Sequence, residues 1–228
     1  MKGNSYLYRK IHSLLGVLPL GGFFVEHLLT NYAAYQGGEE GFYEHVEWIH
    51  GLPLVLFLEI FLIWLPLLYH GVYGLYVAYQ SRNNVNNYGY VRNWMFALQR
   101  ITGVITFIFV VWHIWSTRVQ IALGTVDQFE VGTQMHQILT NPLFYWIYVI
   151  SIVAAVFHFS NGLWSFAVSW GIAVGPRAQR VTSYVTMGIF VVMTIMFLMS
   201  LNAFLDESFA TAAAETASAV VRVLTVNI

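Results

Sequence analysis

The sequence predicts an all-α membrane protein, a bundle of five transmembrane helices, and three observations predict it. Hydrophobic residues make up 58% of the 228 and charged residues 9%, where a water-soluble domain carries roughly 25% charged residues. Five apolar stretches, roughly 12–32, 53–79, 96–120, 143–170 and 182–205, each reach the ~20 residues a helix needs to cross a bilayer. Finally, the charges sort by side. With the N-terminus inside, the inner segments hold Lys2, Arg9, Lys10, Arg82, Arg92, Arg100, Arg177 and Arg180, eight of the ten basic residues, and only Arg118 and Arg222 lie outside. The acids do the reverse: all lie in outer segments except Glu26 and Glu59, which fall inside spans.

This sorting puts the N-terminus in the cytoplasm, the C-terminus outside, and the chain in the cytoplasmic membrane as a multi-pass protein. The inner face is purely basic and suits anionic lipid or a soluble partner, not nucleic acid.

Taken in order, the first stretch has the basic head and apolar middle that a secretory signal shares. Its length, Glu26 and His27 within it, and the lack of a small-x-small cleavage site favour a retained span. The polar segment "SRNNVNNYGYVRNW" (81–94) after the second span reads as an irregular inner loop that meets a soluble partner, or as a plain solvated connection. The fifth span has no histidine but has Met187, Met193, Met196 and Met199, which read as packing. Residues 1–205 thus form the bundle, and the acidic-then-apolar segment 206–228 reads as an outer tail with the character of a surface helix. The chain has no cysteine, which excludes disulfides, covalently attached c-type haem and iron–sulfur clusters held by its own thiolates.

Of the eight histidines, four lie well inside spans, one in each of the first four: His27, His70, His113 and His158. A single imidazole in a membrane helix commonly bonds a carbonyl on its neighbour. Depth says more about the set. His27 and His113 have each climbed roughly 22–26 Å from the inner start of their spans, whereas His70 and His158 lie as far along descending spans, close to the inner side. The four therefore sort into an outer pair, His27 with His113, and an inner pair, His70 with His158.

Two imidazoles facing each other from separate helices suit one flat, six-coordinate iron porphyrin, so two pairs suit two haems b stacked across the membrane. A bare zinc-like ion prefers three or four ligands at one level. Gly71 and Gly74 beside His70, Gly162 beyond His158, and Gly16, Gly21 and Gly22 below His27 supply room for a macrocycle or for ordinary helix packing. Arg100, His12, Ser13, Arg177 and Arg180 lie where they could meet anionic propionates of an inner haem, or snorkel to lipid headgroups.

Four strings carry a resemblance: "RKIHSLLGVLPLG" (9–21), "LPLLYHGVYGLYVAY" (65–79), "RNWMFALQRITGVITFIFVVWHIW" (92–115) and "FHFSNGLWSFAVSWGI" (157–172). They resemble the dihaem, cytochrome b558-type membrane anchors of succinate:menaquinone oxidoreductases of Bacillus-like bacteria, over most of residues 5–205. The resemblance implies a five-span anchor with two non-covalent haems b, a flavoprotein subunit and an iron–sulfur subunit on the cytoplasmic face, and menaquinone as electron acceptor. The family's axial histidines fall on His27, His70, His113 and His158. Dihaem fumarate reductases of the epsilon-proteobacterial kind carry a glutamate two residues before the inner ligand of the fourth span. Here that residue is Val156, which favours the succinate-oxidising branch.

Quinone reduction also needs proton donors. Glu59 is the intramembrane candidate: it lies within about 20° of the helix face of His70 and about 9 Å below the outer end. His45, Glu47 and His50 of the first outer loop are further donors, and a neutral, hydrogen-bonded acid is the rival reading of Glu59. Glu26 points elsewhere on its helix. Two other classes stay open on the sequence: another quinone-linked or ferric-reducing b-type cytochrome, and a transporter whose histidines relay protons or bind an ion. Succinate itself is not expected to bind a chain with no soluble domain large enough for a flavin.

Overall fold

A computed structural model describes residues 5–210, and every regular element among them is helical. The first span begins as α1 (Ser5–Val17) and continues as α2 (Pro19–His50). Pro19 brings no N–H and crowds the preceding turn, so the helix is interrupted at Leu18. Backbone bonds Leu18 N–H to Leu14 O (2.9 Å) and Gly22 N–H to Leu18 O (3.0 Å) stitch the two pieces together. α2 has 32 residues, about 48 Å at helical rise, and overshoots an apolar layer of ~30 Å. It bends at Gly38 (φ +62°, ψ −148°), a conformation that costs glycine little and other residues much. The stretch 33–50, expected as a loop, is therefore helical. Phe42 and Val46, one turn apart, supply the cause by burying themselves in the apolar cluster at that end.

The second span is α3 (Val55–Leu58), a π-helical turn (Glu59–Trp64) and α4 (Leu65–Gln80). Pro66 explains the wide turn: its ring would clash with the carbonyl four residues back, and it has no N–H to give. The third span is α5 (Val91–Ser116), broken at Thr117 (φ −127°, ψ −84°) before the short α6 (Arg118–Ala122). The fourth is α8 (Pro142–Ser169), whose start is set by Pro142 in the first turn and by the Asn141 side chain accepting the Leu143 N–H at 3.0 Å. The fifth is α9 (Gly175–Ala203), again with proline in its first turn. All five spans are long and apolar enough to cross a membrane.

We call the end that carries Ser5, residues 81–90 and residues 170–174 the near end, and the opposite one the far end. α8 is central, packed against α5 and α9; α2 lies along α9, and α1 lies against α4 and α8. Ile101, Ile108, Val111 and Trp115 on α5, and Tyr184, Val191 and Ile195 on α9, repeat at helical spacing and are each more than half exposed. Such stripes face lipid in a spanning helix.

At the far end a helix not foreseen in the sequence, α7 (Val131–Leu139), packs against α8. Its Met135 and Leu139 join Phe42, Tyr148 and Phe204 in one buried cluster. Phe209, placed by the sequence in a separate tail, is 0% exposed and belongs to that cluster. The turn that delivers it is held by Asp206, whose carboxylate accepts the Ser208 N–H at 2.9 Å and is thereby kept below the usual carboxylate range. The rest of the proposed surface helix, 211–228, lies outside the described residues.

Candidate functional site

Each of the four intramembrane histidines points between helices. At the far level His27 of α2 meets His113 of α5 with ring centres 6.0 Å apart and planes at 72°; at the near level His70 of α4 meets His158 of α8 at 6.1 Å and 82°. The helices carry glycines that report the height of each level. A Cβ on Gly16 would collide with the His70 ring, and one on Gly103 would stand 2.7 Å from His158 Cε1. His27 is eleven residues past Gly16 and His113 ten past Gly103, so the two counts separate the levels by about 15–17 Å.

The second ring nitrogen of three of these histidines has a fixed partner. His70 Nδ1–H donates to the His12 carbonyl at 2.9 Å, and His158 Nδ1–H to the Gln99 carbonyl at 3.0 Å. His113 Nδ1 lies 3.0 Å from the Tyr148 hydroxyl. This arrangement leaves Nε2 free to face the partner ring, the way protein hydrogen bonds orient metal-ligating imidazoles. His27 differs: the Asn31 amide donates to the His27 carbonyl at 2.7 Å and stands 3.4 Å from both ring nitrogens.

These residues fit a haem. Metal–imidazole bonds of about 2.0–2.1 Å on either side of one metal put two ring centres about 6.3 Å apart, close to both observed spacings. Among the described residues no three of His, Asp or Glu are placed to hold one metal ion, and the imidazoles that face each other come in twos, the number a six-coordinate porphyrin iron takes from its protein. Two buried polar atoms by the near-level pair, His12 Nε2 and Arg100 Nε, have no hydrogen-bond partner. The His12 ring stacks on His70 at 4.1 Å, and the Arg100 guanidinium lies 3.2 Å over Phe96. Arg100 Nε is a donor, and His12 Nε2 is one in its Nε2–H tautomer, the two that an anionic propionate would satisfy.

The other residues singled out from the sequence are placed as follows. Ser13 Oγ is 3.4 Å from the Trp170 indole nitrogen at the near end. Arg177 and Arg180 are exposed at the start of α9, Arg180 on the wall of a shallow groove. Gly74 lies under His12, Gly162 near Gln99, Gly71 under Phe107 and Gly21 under Phe159, while Gly22 has nothing within 4 Å. Val156 is 0% exposed in an apolar cluster with Leu28, Met193 and Phe197. Glu26 accepts a bond from Thr30 at 2.7 Å on its own helix.

Glu59 is neither a lone acid nor bonded to Tyr, Trp or backbone. Arg118 Nη2 donates to its Oε2 at 2.9 Å and Arg118 Nε to its Oε1 at 3.3 Å. The ion pair ties the π-helical turn to the residue just past the break at the end of α5. His45, Glu47 and His50 are exposed on the last turns of α2.

Sequence reasoning missed four contributors. Gln99 offers its backbone carbonyl to His158 and its side-chain oxygen to Asn161 (2.7 Å); an amide mid-span was the available signal. Gly103, in appearance one more glycine of an apolar span, is the cradle of His158. Tyr148 looked like any apolar-helix tyrosine, and Arg118 like an ordinary loop cation.

Fold and site define the class: a five-helix membrane protein with paired imidazoles at two levels along its axis. Residues 82–197 match the family described as succinate dehydrogenase/fumarate reductase transmembrane subunit. The chain is 47% identical over 205 residues to the succinate dehydrogenase cytochrome b558 subunit of Bacillus subtilis (strain 168), an alignment that covers 90% of this chain and 100% of that protein. The chain belongs to the family of succinate dehydrogenase/fumarate reductase transmembrane subunits. It is a membrane subunit of an enzyme complex, which sets aside the transporter and ferric-reductase readings.

Proposed function

We propose that the chain carries electrons from an iron–sulfur subunit on the cytoplasmic side of the cell membrane to menaquinone, within a succinate:menaquinone oxidoreductase that also includes a flavoprotein. The observation that carries this reading is the meeting of four histidines in two pairs, 6.0 and 6.1 Å between ring centres, at levels about 15–17 Å apart. His70 and His158 hold a haem b near the cytoplasm, and His27 and His113 hold a second toward the outside. When bound, the haems supply one-electron redox centres at two depths. The chain's own part is to fix those depths, keep Nε2 of His70, His113 and His158 free, and exclude water with the apolar clusters around Val156 and Tyr148. Arg100, His12 and Ser13 bind the carboxylates of the inner group.

The near end, with its basic residues, faces the cytoplasm and docks the soluble subunits. Charge moved between the levels crosses part of the membrane potential, worth about 2.3 kcal/mol per 100 mV for a full crossing, so turnover responds to that potential. At the outer level Glu59, held by Arg118, takes protons from outside and passes them to the reduced quinone.

Purifying the complex from its membrane through a tag on this chain tests the reading. A flavoprotein and an iron–sulfur protein are expected to co-purify, with succinate reducing a b-type absorption band; a chain that comes alone, or a band indifferent to succinate, contradicts it. Glu59→Gln is expected to cut quinone reductase activity at least tenfold with unaltered haem spectra. Full activity in that variant removes Glu59 from the proton path.

A further inference from the structure

The two levels differ in what the second ring nitrogen meets. At the near level both histidines donate to backbone carbonyls, of His12 and Gln99. At the far level His113 meets a side chain, the Tyr148 hydroxyl at 3.0 Å. That hydroxyl has an outlet of its own: it donates to Met135 Sδ at 3.5 Å. Tyr148 is 4% exposed and Met135 8%, so water is not a competing partner. The tyrosine ring is fixed as well, edge-on to Phe109 (5.0 Å, 86°) and to Trp112 (5.5 Å, 67°), while Phe109 stacks on the His113 ring (5.6 Å, 16°).

The donor order follows from ligation through Nε2. With that lone pair given to a metal, Nδ1 keeps the ring proton and the tyrosine oxygen accepts from His113 Nδ1–H, which leaves the tyrosine proton for Met135 Sδ, a thioether that can only accept. A hydrogen bond donated from Nδ1–H also pushes electron density onto the ring, which strengthens Nε2 as a ligand and favours the ferric over the ferrous state of an iron bound there. Because the acceptor at this level is a side chain, a single substitution can remove it, which is not so for the carbonyl acceptors of the near level.

Resting on the haem reading above, we propose that Tyr148 is a positioning residue of the outer site, which orients the His113 ring by accepting from its Nδ1–H and lowers the potential of the outer haem, with Met135 of α7 as the distal link.

The test is a mediated redox titration of the purified complex, comparing wild type with Tyr148→Phe, which keeps the ring and removes only the hydroxyl, and with Met135→Leu, which removes the sulfur acceptor. In Tyr148→Phe the outer haem is expected to shift upward by an amount equivalent to roughly a tenfold change in its ferric–ferrous equilibrium, about 59 mV for one electron, with the inner haem unmoved. Met135→Leu should shift the same haem in the same direction by less. Loss of the outer haem alone from Tyr148→Phe also supports a positioning role. Two haems at wild-type potentials in both variants overturn it while leaving the haem reading intact. A wild-type complex without haem overturns both. If Tyr148→Phe fails to assemble, Met135→Leu decides by the same criterion.

Discussion

At the scale of single residues, the histidines were legible because an ionisable ring in an apolar span is costly and conspicuous, and counting helical rise is enough to sort four of them by depth. The structure brings together His27 with His113 and His70 with His158, the same two couples that depth gives. What stayed hidden were the partners whose identity depends on another helix. Arg118 reads as a loop cation until the break at Thr117 turns it toward Glu59. Gly103 reads as one more glycine until His158 is laid on it. The pairing makes a sharp prediction: His113→Leu and His158→Leu should each lower haem content from two to one per chain. The haem that remains should be a different one in the two variants, as difference spectra and redox titration would tell. A variant that keeps both haems contradicts the assignment.

At the scale of elements, existence was easier to read than extent. The five apolar runs became five spans, but α2 continues to His50 and α9 begins at Gly175. Hydropathy marks the segment in lipid, whereas a helix continues for as long as its backbone bonds and one buried face last. The same reason hid α7, nine residues that are amphipathic rather than apolar and gain their stability by covering the far end. Pro66, a proline inside a span, was the available signal for the π-helical turn, though only the fold shows which side of it widens. The far-end cap depends on Phe209, which touches Gly132 so closely that a Cβ there would stand 2.8 Å from its ring. Phe209→Ala should cost about 3 kcal/mol, the lower end of the range for emptying a buried phenylalanine site. The expected result is earlier thermal unfolding in detergent and faster proteolysis at 123–130; an unchanged melting curve would place Phe209 outside the cooperative core.

At the scale of the whole molecule, the bundle divides its work along its axis. The near end is basic and stitched by Lys10, which donates to the Ser169 carbonyl and lies 4.5 Å over Trp170, and by Arg92, 3.7 Å over Trp164. The far end is closed by an apolar cap and an ion pair. Between them the two imidazole levels stand about 15–17 Å apart, a separation set by eleven residues of the first span and ten of the third rather than by any side chain. That count was present in the sequence from the start; the glycines that anchor it to the opposite ring were not recognisable as such. The most direct measurement is haem stoichiometry in the purified complex, from a pyridine haemochrome assay set against the quantity of this chain. Two haems b per chain, resolved as two components in a redox titration, is the predicted result, and one haem or none would contradict it.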